Sequence, residues 1–136
     1  MAVELRAGSV VWPIGTSDFL HAFFSTIAVR LEPEGWGSRF PAVMKTLYAG
    51  EIGGEDAARA IAELDQIRAE LRRFPPSEVV WDSEDLSKRP PWGDEIADTI
   101  TDLGNYFVTE DGRDLFDVLE EAVGYAARSE YPVVIE

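Results

Sequence analysis

Thr16-Ser17-Asp18-Phe19-Leu20-His21-Ala22-Phe23-Phe24-Ser25-Thr26-Ile27-Ala28-Val29-Arg30-Leu31 carries the plainest helical signature in the chain. The hydroxyls at its start can cap free backbone amides, and Asp18 puts a negative charge in the first turn. Leu20, Phe23, Phe24, Ile27 and Leu31 recur at steps of three and four, which makes an apolar stripe, and Pro33 follows just past the end. Upstream, Val3, Leu5 and Ala7 alternate with Glu4 and Arg6, the period of a half-buried strand. Gly8-Ser9 breaks that register and Val10-Val11-Trp12 resumes it, so a bulge or tight turn is expected at Gly8.

Downstream, a short helix is expected from Phe40-Pro41, with Val43, Met44, Leu47 and Tyr48 inside it and Gly50 closing it. A longer helix over about 55–74 follows. Ala57, Ile61, Leu64, Ile67, Leu71 and Phe74 form its apolar face, Glu63 lies on another, and Pro75-Pro76 ends it. Val79-Val80-Trp81 and Asn105-Tyr106-Phe107-Val108-Thr109 read as strands, and Ile96, Ile100 and Leu103 suggest a short helix over 94–103. The last helix starts near 111–114, capped by Thr109 or Asp111. It buries Leu115, Val118, Leu119, Ala122, Val123 and Ala126 before a closing strand at Tyr131-Pro132-Val133-Val134-Ile135. The expected fold class is α+β: one small sheet of about four short strands packed by three or four amphipathic helices, in a single domain over 1–136.

Composition bounds the function. The chain has 136 residues, 46% of them hydrophobic, and no cysteine, so disulfides, zinc-thiolate sites and a thiol nucleophile are excluded. A formal charge of −14 repels nucleic acid and anionic membranes and attracts basic partners. Residues 1–77 hold 10 acidic and 8 basic side chains, whereas 78–136 hold 16 acidic and only 4 basic. Met1-Ala2-Val3-Glu4-Leu5-Arg6 does not resemble a signal peptide, and no apolar run is long enough to span a membrane, so a cytoplasmic location is expected.

The acidic excess begins at Trp81-Asp82-Ser83-Glu84-Asp85-Leu86-Ser87-Lys88-Arg89-Pro90-Pro91-Trp92-Gly93-Asp94-Glu95, a charged loop with two of the four tryptophans. Loops on a rigid scaffold are where binding residues concentrate. Asp82, Glu84, Asp85, Trp92, Asp94, Glu95, Asp98 and Asp102 are therefore the candidate partner-contacting residues. If 94–103 is helical, Asp94, Asp98 and Asp102 share one face, and with Asp82, Glu84 and Asp85 they could surround magnesium or calcium as in a metal-dependent hydrolase. The spacing does not match a calcium loop, and no G-x-S-x-G or H-E-x-x-H motif occurs. The only histidine, His21, falls beside the helical stripe and reads as a boundary or surface residue. No catalytic set, metal or cofactor is called for. A regulatory adaptor that binds a peptide through Pro90-Pro91-Trp92-Gly93 is a further alternative.

Trp81-Asp82, Asp85-Leu86-Ser87-Lys88 and Pro90-Pro91-Trp92-Gly93 together resemble the immunity protein 70 family of bacterial polymorphic toxin systems. Gly15-Thr16-Ser17-Asp18-Phe19-Leu20, Gly37-Ser38-Arg39-Phe40-Pro41, Asn105-Tyr106-Phe107-Val108-Thr109 and Gly112-Arg113-Asp114-Leu115 extend the likeness over nearly the whole chain. The resemblance implies a small cytoplasmic protein that binds a cognate toxin domain and neutralises it. Many such toxins are nucleases with basic clefts, and an acidic face would compete for such a cleft.

Overall fold

The computed structural model describes residues 2–93 and 95–136. Helix α1 (Ser17–Leu31) starts where its capping residues predict, with Thr16 Oγ1 accepting from the Phe19 amide at 3.1 Å. It is buried on more than one stripe: Phe19, Ala22, Ser25 and Thr26 are enclosed as well as Leu20, Phe23, Phe24, Ile27 and Leu31. Phe23 is the centre of the core and meets Phe24, Phe107 and Phe116 edge-on at 5.2–5.5 Å, a geometry aromatic quadrupoles favour.

The sheet is antiparallel, with its strands side by side in the order Val10–Thr16, Ala2–Ala7, Val133–Ile135, Glu51–Ile52. Strands β1 (Ala2–Ala7) and β2 (Val10–Thr16) form a hairpin around Gly8-Ser9. Gly8 takes φ +60°, as the first position of a tight two-residue turn of the II′ kind requires. The bulge lies elsewhere, between Val3 and Glu4, and Pro13 is tolerated because β2 is an edge strand. Strand β4 (Val133–Ile135) pairs with β1 on one side and with the two-residue β3 (Glu51–Ile52) on the other. Helix α2 (Gly54–Leu71) packs on helix α3 (Leu115–Arg128), which in turn lies against β1, β2 and β4.

The segment predicted as a short helix is a wide π-helical turn, Ala42–Leu47. Val43, Met44 and Leu47 lie inside it and are buried, whereas Tyr48 falls at its C-terminal cap and is 44% exposed. Two buried carboxylates explain why the chain turns here. Glu32 accepts from the amides of Gly37, Arg39 and Phe40 at 2.9–3.1 Å, and Glu63 accepts from those of Ala42 and Val43 at 3.2 and 2.9 Å. Glu63 therefore faces inward, contrary to the outer position expected for it, because it satisfies amides at the start of the turn that have no backbone partner.

Residues 79–81 do not form a strand. Val80 is buried, but its partner is a helix side chain: its amide donates to Thr26 Oγ1 at 3.0 Å, and its carbonyl lies 3.1 Å from the same hydroxyl. The single Thr26 proton is shared between that carbonyl and Ala22 O at 2.9 Å. Ser25 Oγ accepts from the Ser83 amide at 3.1 Å, and Arg30 donates to Glu78 O at 2.9 Å, so α1 grips the start of the acidic segment at three levels.

Nor is 95–103 helical. Asn105 Oδ1 accepts from the amides of Thr101 and Asp102, and Asp102 Oδ1 takes the Gly104 amide at 2.7 Å. Short polar side chains here capture the amides that a helix needs. Residues 105–109 make a single bridge, Val108 with Asp114, in a turn leading into α3. Asp114, not Thr109 or Asp111, caps α3 by accepting from the Phe116 amide at 2.9 Å. Thr109 instead receives the Arg113 amide at 3.1 Å.

Between α2 and α3, Arg68 is ringed by Asp114, Asp117 and Glu120 at 3.0–3.5 Å. Burial, together with a hydrogen bond to Asp65, pushes the Glu120 carboxyl up to about 7. The folded chain thus keeps a proton that the unfolded chain releases near 4.5, and the stability from this group is complete below that pH and lost as pH rises through about 7. Glu120→Gln keeps a donor to Asp65 without the charge. Thermal melts should show this variant more stable than the parent above pH 7, on the order of 1–2 kcal/mol, and near parity at pH 4. Thr26→Val keeps the shape but strands a buried amide. It should cost about 1–3 kcal/mol in denaturant titration and speed hydrogen exchange at the Val80 amide.

Candidate functional site

The segment that follows Val80 leaves the protein without regular structure and is shaped by its own aspartates. Asp82 Oδ1 accepts from the Glu84 amide at 2.9 Å and Asp85 Oδ1 from the Ser87 amide at 3.1 Å, two Asx turns in succession. The Glu84 amide and then Lys88, 3.3 Å away, hold the Asp82 carboxyl below its ordinary range. The Ser87 hydroxyl and amide do the same for Asp85. Both groups are therefore anionic at neutral pH.

An aromatic ladder backs these turns. Trp81 is half-buried and meets Trp92 edge-on at 5.3 Å, and Trp92 Nε1 donates to Tyr106 Oη at 2.8 Å. Trp92 remains 37% exposed while one edge is fixed, the arrangement of an anchored but accessible ring. Glu95 lies beside Trp92 in a shallow groove of about 320 Å³ with Phe19, Ile100 and Tyr106.

The candidate residues thus divide. Glu95 lies beside Trp92 of the ladder, Asp82 follows Trp81 in the chain and meets Lys88, and Glu84 and Asp85 lie in the turns that come next. Glu84, Asp85, Glu95 and Asp98 are exposed and form no ion pair among the described residues. Asp102 is half-buried against its own turn, bonded to the Gly104 amide and to Thr101 Oγ1 at 2.8 Å. Asp94 lies outside the described residues. No helix forms over 95–103, so Asp98 and Asp102 do not share the helical face expected for them. Among the described residues no group of three or more His, Asp and Glu is arranged to hold a metal ion.

Sequence reasoning left His21 without a partner; the fold brings it to 3.6 Å from Asp82. Its ring stacks on Trp36 at 6.4 Å and stands at the same distance from Tyr48, and Trp36 and Tyr48 meet edge-on at 4.8 Å. Trp36 Nε1 donates to Met44 O at 2.6 Å, which locks the ring. The nearby Ser25 hydroxyl accepts from the Ser83 amide, so it is committed to holding the loop. These contacts link residues up to 61 positions apart, and no local signal in the sequence announces them. Among the described residues, no helix is long and apolar enough to cross a membrane.

No curated protein and no solved structure matches this chain. The family model described as Immunity protein 70 matches residues 5–135, and the chain belongs to that family.

Proposed function

We propose that this immunity protein binds its cognate toxin domain through the acidic, aromatic surface of the irregular segment after Val80, and neutralises it by stoichiometric occlusion without catalysis. The observation that carries this reading is the set of exposed, unpaired carboxylates, Glu84, Asp85, Glu95 and Asp98, arrayed along the segment that carries the Trp81–Trp92–Tyr106 ladder. Carboxylates without an internal ion pair have none to lose when a cationic surface arrives, and they speed encounter by long-range attraction. Trp92 offers apolar area with little side-chain entropy to lose, as tryptophan does at many energetic centres of interfaces. A nuclease cleft, basic because it holds phosphates, is the partner chemistry this surface fits best.

Two measurements test it. The triple charge reversal Glu84→Lys, Asp85→Lys, Glu95→Lys alters exposed side chains. It should weaken toxin affinity by about a hundredfold or more in low salt, with a smaller loss at high salt. It should also abolish growth rescue when toxin and immunity protein are co-expressed; full rescue with unchanged affinity contradicts the reading. Trp92→Ala should weaken binding by at least about tenfold, mostly through faster dissociation. Melting temperature, followed in parallel, separates lost contact from lost fold.

A further inference from the structure

On a protein of charge −14, one cleft has the opposite character. It measures about 790 Å³ and opens between the second half of α1 and the segment 76–96, a volume suited to a few side chains. None of the described residues that line it is acidic, although residues 78–136 hold 16 acidic side chains, and two of the 4 basic ones there, Lys88 and Arg89, line it with Arg30. Its apolar wall includes Trp81, Val29 and Leu86, the last 62% exposed.

The three cations are not equivalent. Arg30 is neutralised by Glu78 at 2.9 Å, and Lys88 by Asp82 at 3.3 Å. Arg89 has no carboxylate partner among the described residues, and its only bond is a long one, 3.4 Å, to Leu86 O. The cleft therefore offers one uncompensated guanidinium beside open apolar surface. Guanidinium favours carboxylate through paired, charge-assisted hydrogen bonds.

We infer that this cleft receives a segment of the partner protein that presents one carboxylate next to large apolar side chains. The carboxylate meets Arg89, and the apolar groups cover Leu86, Val29 and Trp81. The cleft adjoins the acidic surface through Trp81 and through the Lys88–Asp82 pair, so a protein docked on that surface also covers the cleft. Assigning the segment to the toxin rests on the function proposed above; the chemistry of the cleft does not. The two contacts together would make recognition bipolar. A basic toxin with a misplaced acidic segment would be rejected, which a uniformly negative surface cannot achieve.

The test is a titration of the full chain with acetyl-Glu-Leu-Phe-amide, followed by amide and indole NMR shifts. Acetyl-Gln-Leu-Phe-amide, acetyl-Lys-Leu-Phe-amide and 3-phenylpropionate are run in parallel. Shifts should centre on Trp81, Leu86, Arg89 and Ile96, and the acidic peptide should bind about fivefold or more tightly than the neutral one, as one charge-assisted hydrogen bond implies. Arg89→Gln, an exposed substitution, should remove that preference while leaving the spectrum otherwise unchanged. Equal binding of the lysine peptide, shifts outside the cleft, no shifts at all, or 3-phenylpropionate binding as tightly as the acidic peptide would each overturn the inference. If the triple charge reversal leaves toxin rescue intact while the acidic peptide still binds here, the acidic-surface reading alone has failed.

Discussion

The bond between the Thr26 hydroxyl and both backbone groups of Val80 is the constraint on which the acidic segment's placement depends. A buried extended segment must find partners for its amides and carbonyls, and a sheet is the usual source. Here a helix supplies them, with Ser25 and Arg30 acting one step to either side. The result is a segment fixed at its root and free of the sheet, so its later residues can turn outward. A strand in the same place would have sent alternate side chains into the core. The Asx turns at Asp82 and Asp85 and the Trp81–Trp92 contact then shape what projects.

Carboxylates serve three separate purposes in this chain, and burial with hydrogen bonding sorts them. Glu32 and Glu63 are enclosed and satisfy backbone amides around the turn at 42–47. Asp114, Asp117 and Glu120 converge on Arg68 and hold α2 against α3, with Glu120 retaining a proton to near neutrality. Glu84, Asp85, Glu95 and Asp98 face solvent with no ion pair among the described residues, and these are the carboxylates of the segment after Val80 that we propose meet a partner. The net charge of −14 thus overstates the uniformity of the surface, since Arg30, Lys88 and Arg89 line one cleft beside the acidic segment.

The three long helices were legible because their apolar residues recur at steps of three and four, and every residue expected on the buried face of α3 is buried. The β1–β2 hairpin followed from alternation around Gly8. What stayed hidden has one physical origin: side chains acting as backbone partners. Val79-Val80-Trp81 has strand composition, yet Thr26, 54 positions earlier, provides its bonds. The apolar spacing of Ile96, Ile100 and Leu103 promised a helix, but Asp102 and Asn105 capture the local amides. Strand β3, two residues long, is below what periodicity can register. The candidate site was legible as a composition, carboxylates with tryptophan. Its geometry was not, since the Trp92–Tyr106 and His21–Asp82 contacts depend on how distant segments are brought together.

The central claim is that the segment rooted at Val80 is the surface that meets the toxin. Hydrogen–deuterium exchange on the immunity protein, alone and saturated with its cognate toxin domain, addresses it directly. The account predicts that new protection concentrates in 82–93 and 95–98 and that the outer faces of α2 and α3 are unaffected. Protection confined to α2, α3 or the β2 edge, with 82–93 exchanging as in the free protein, would contradict it.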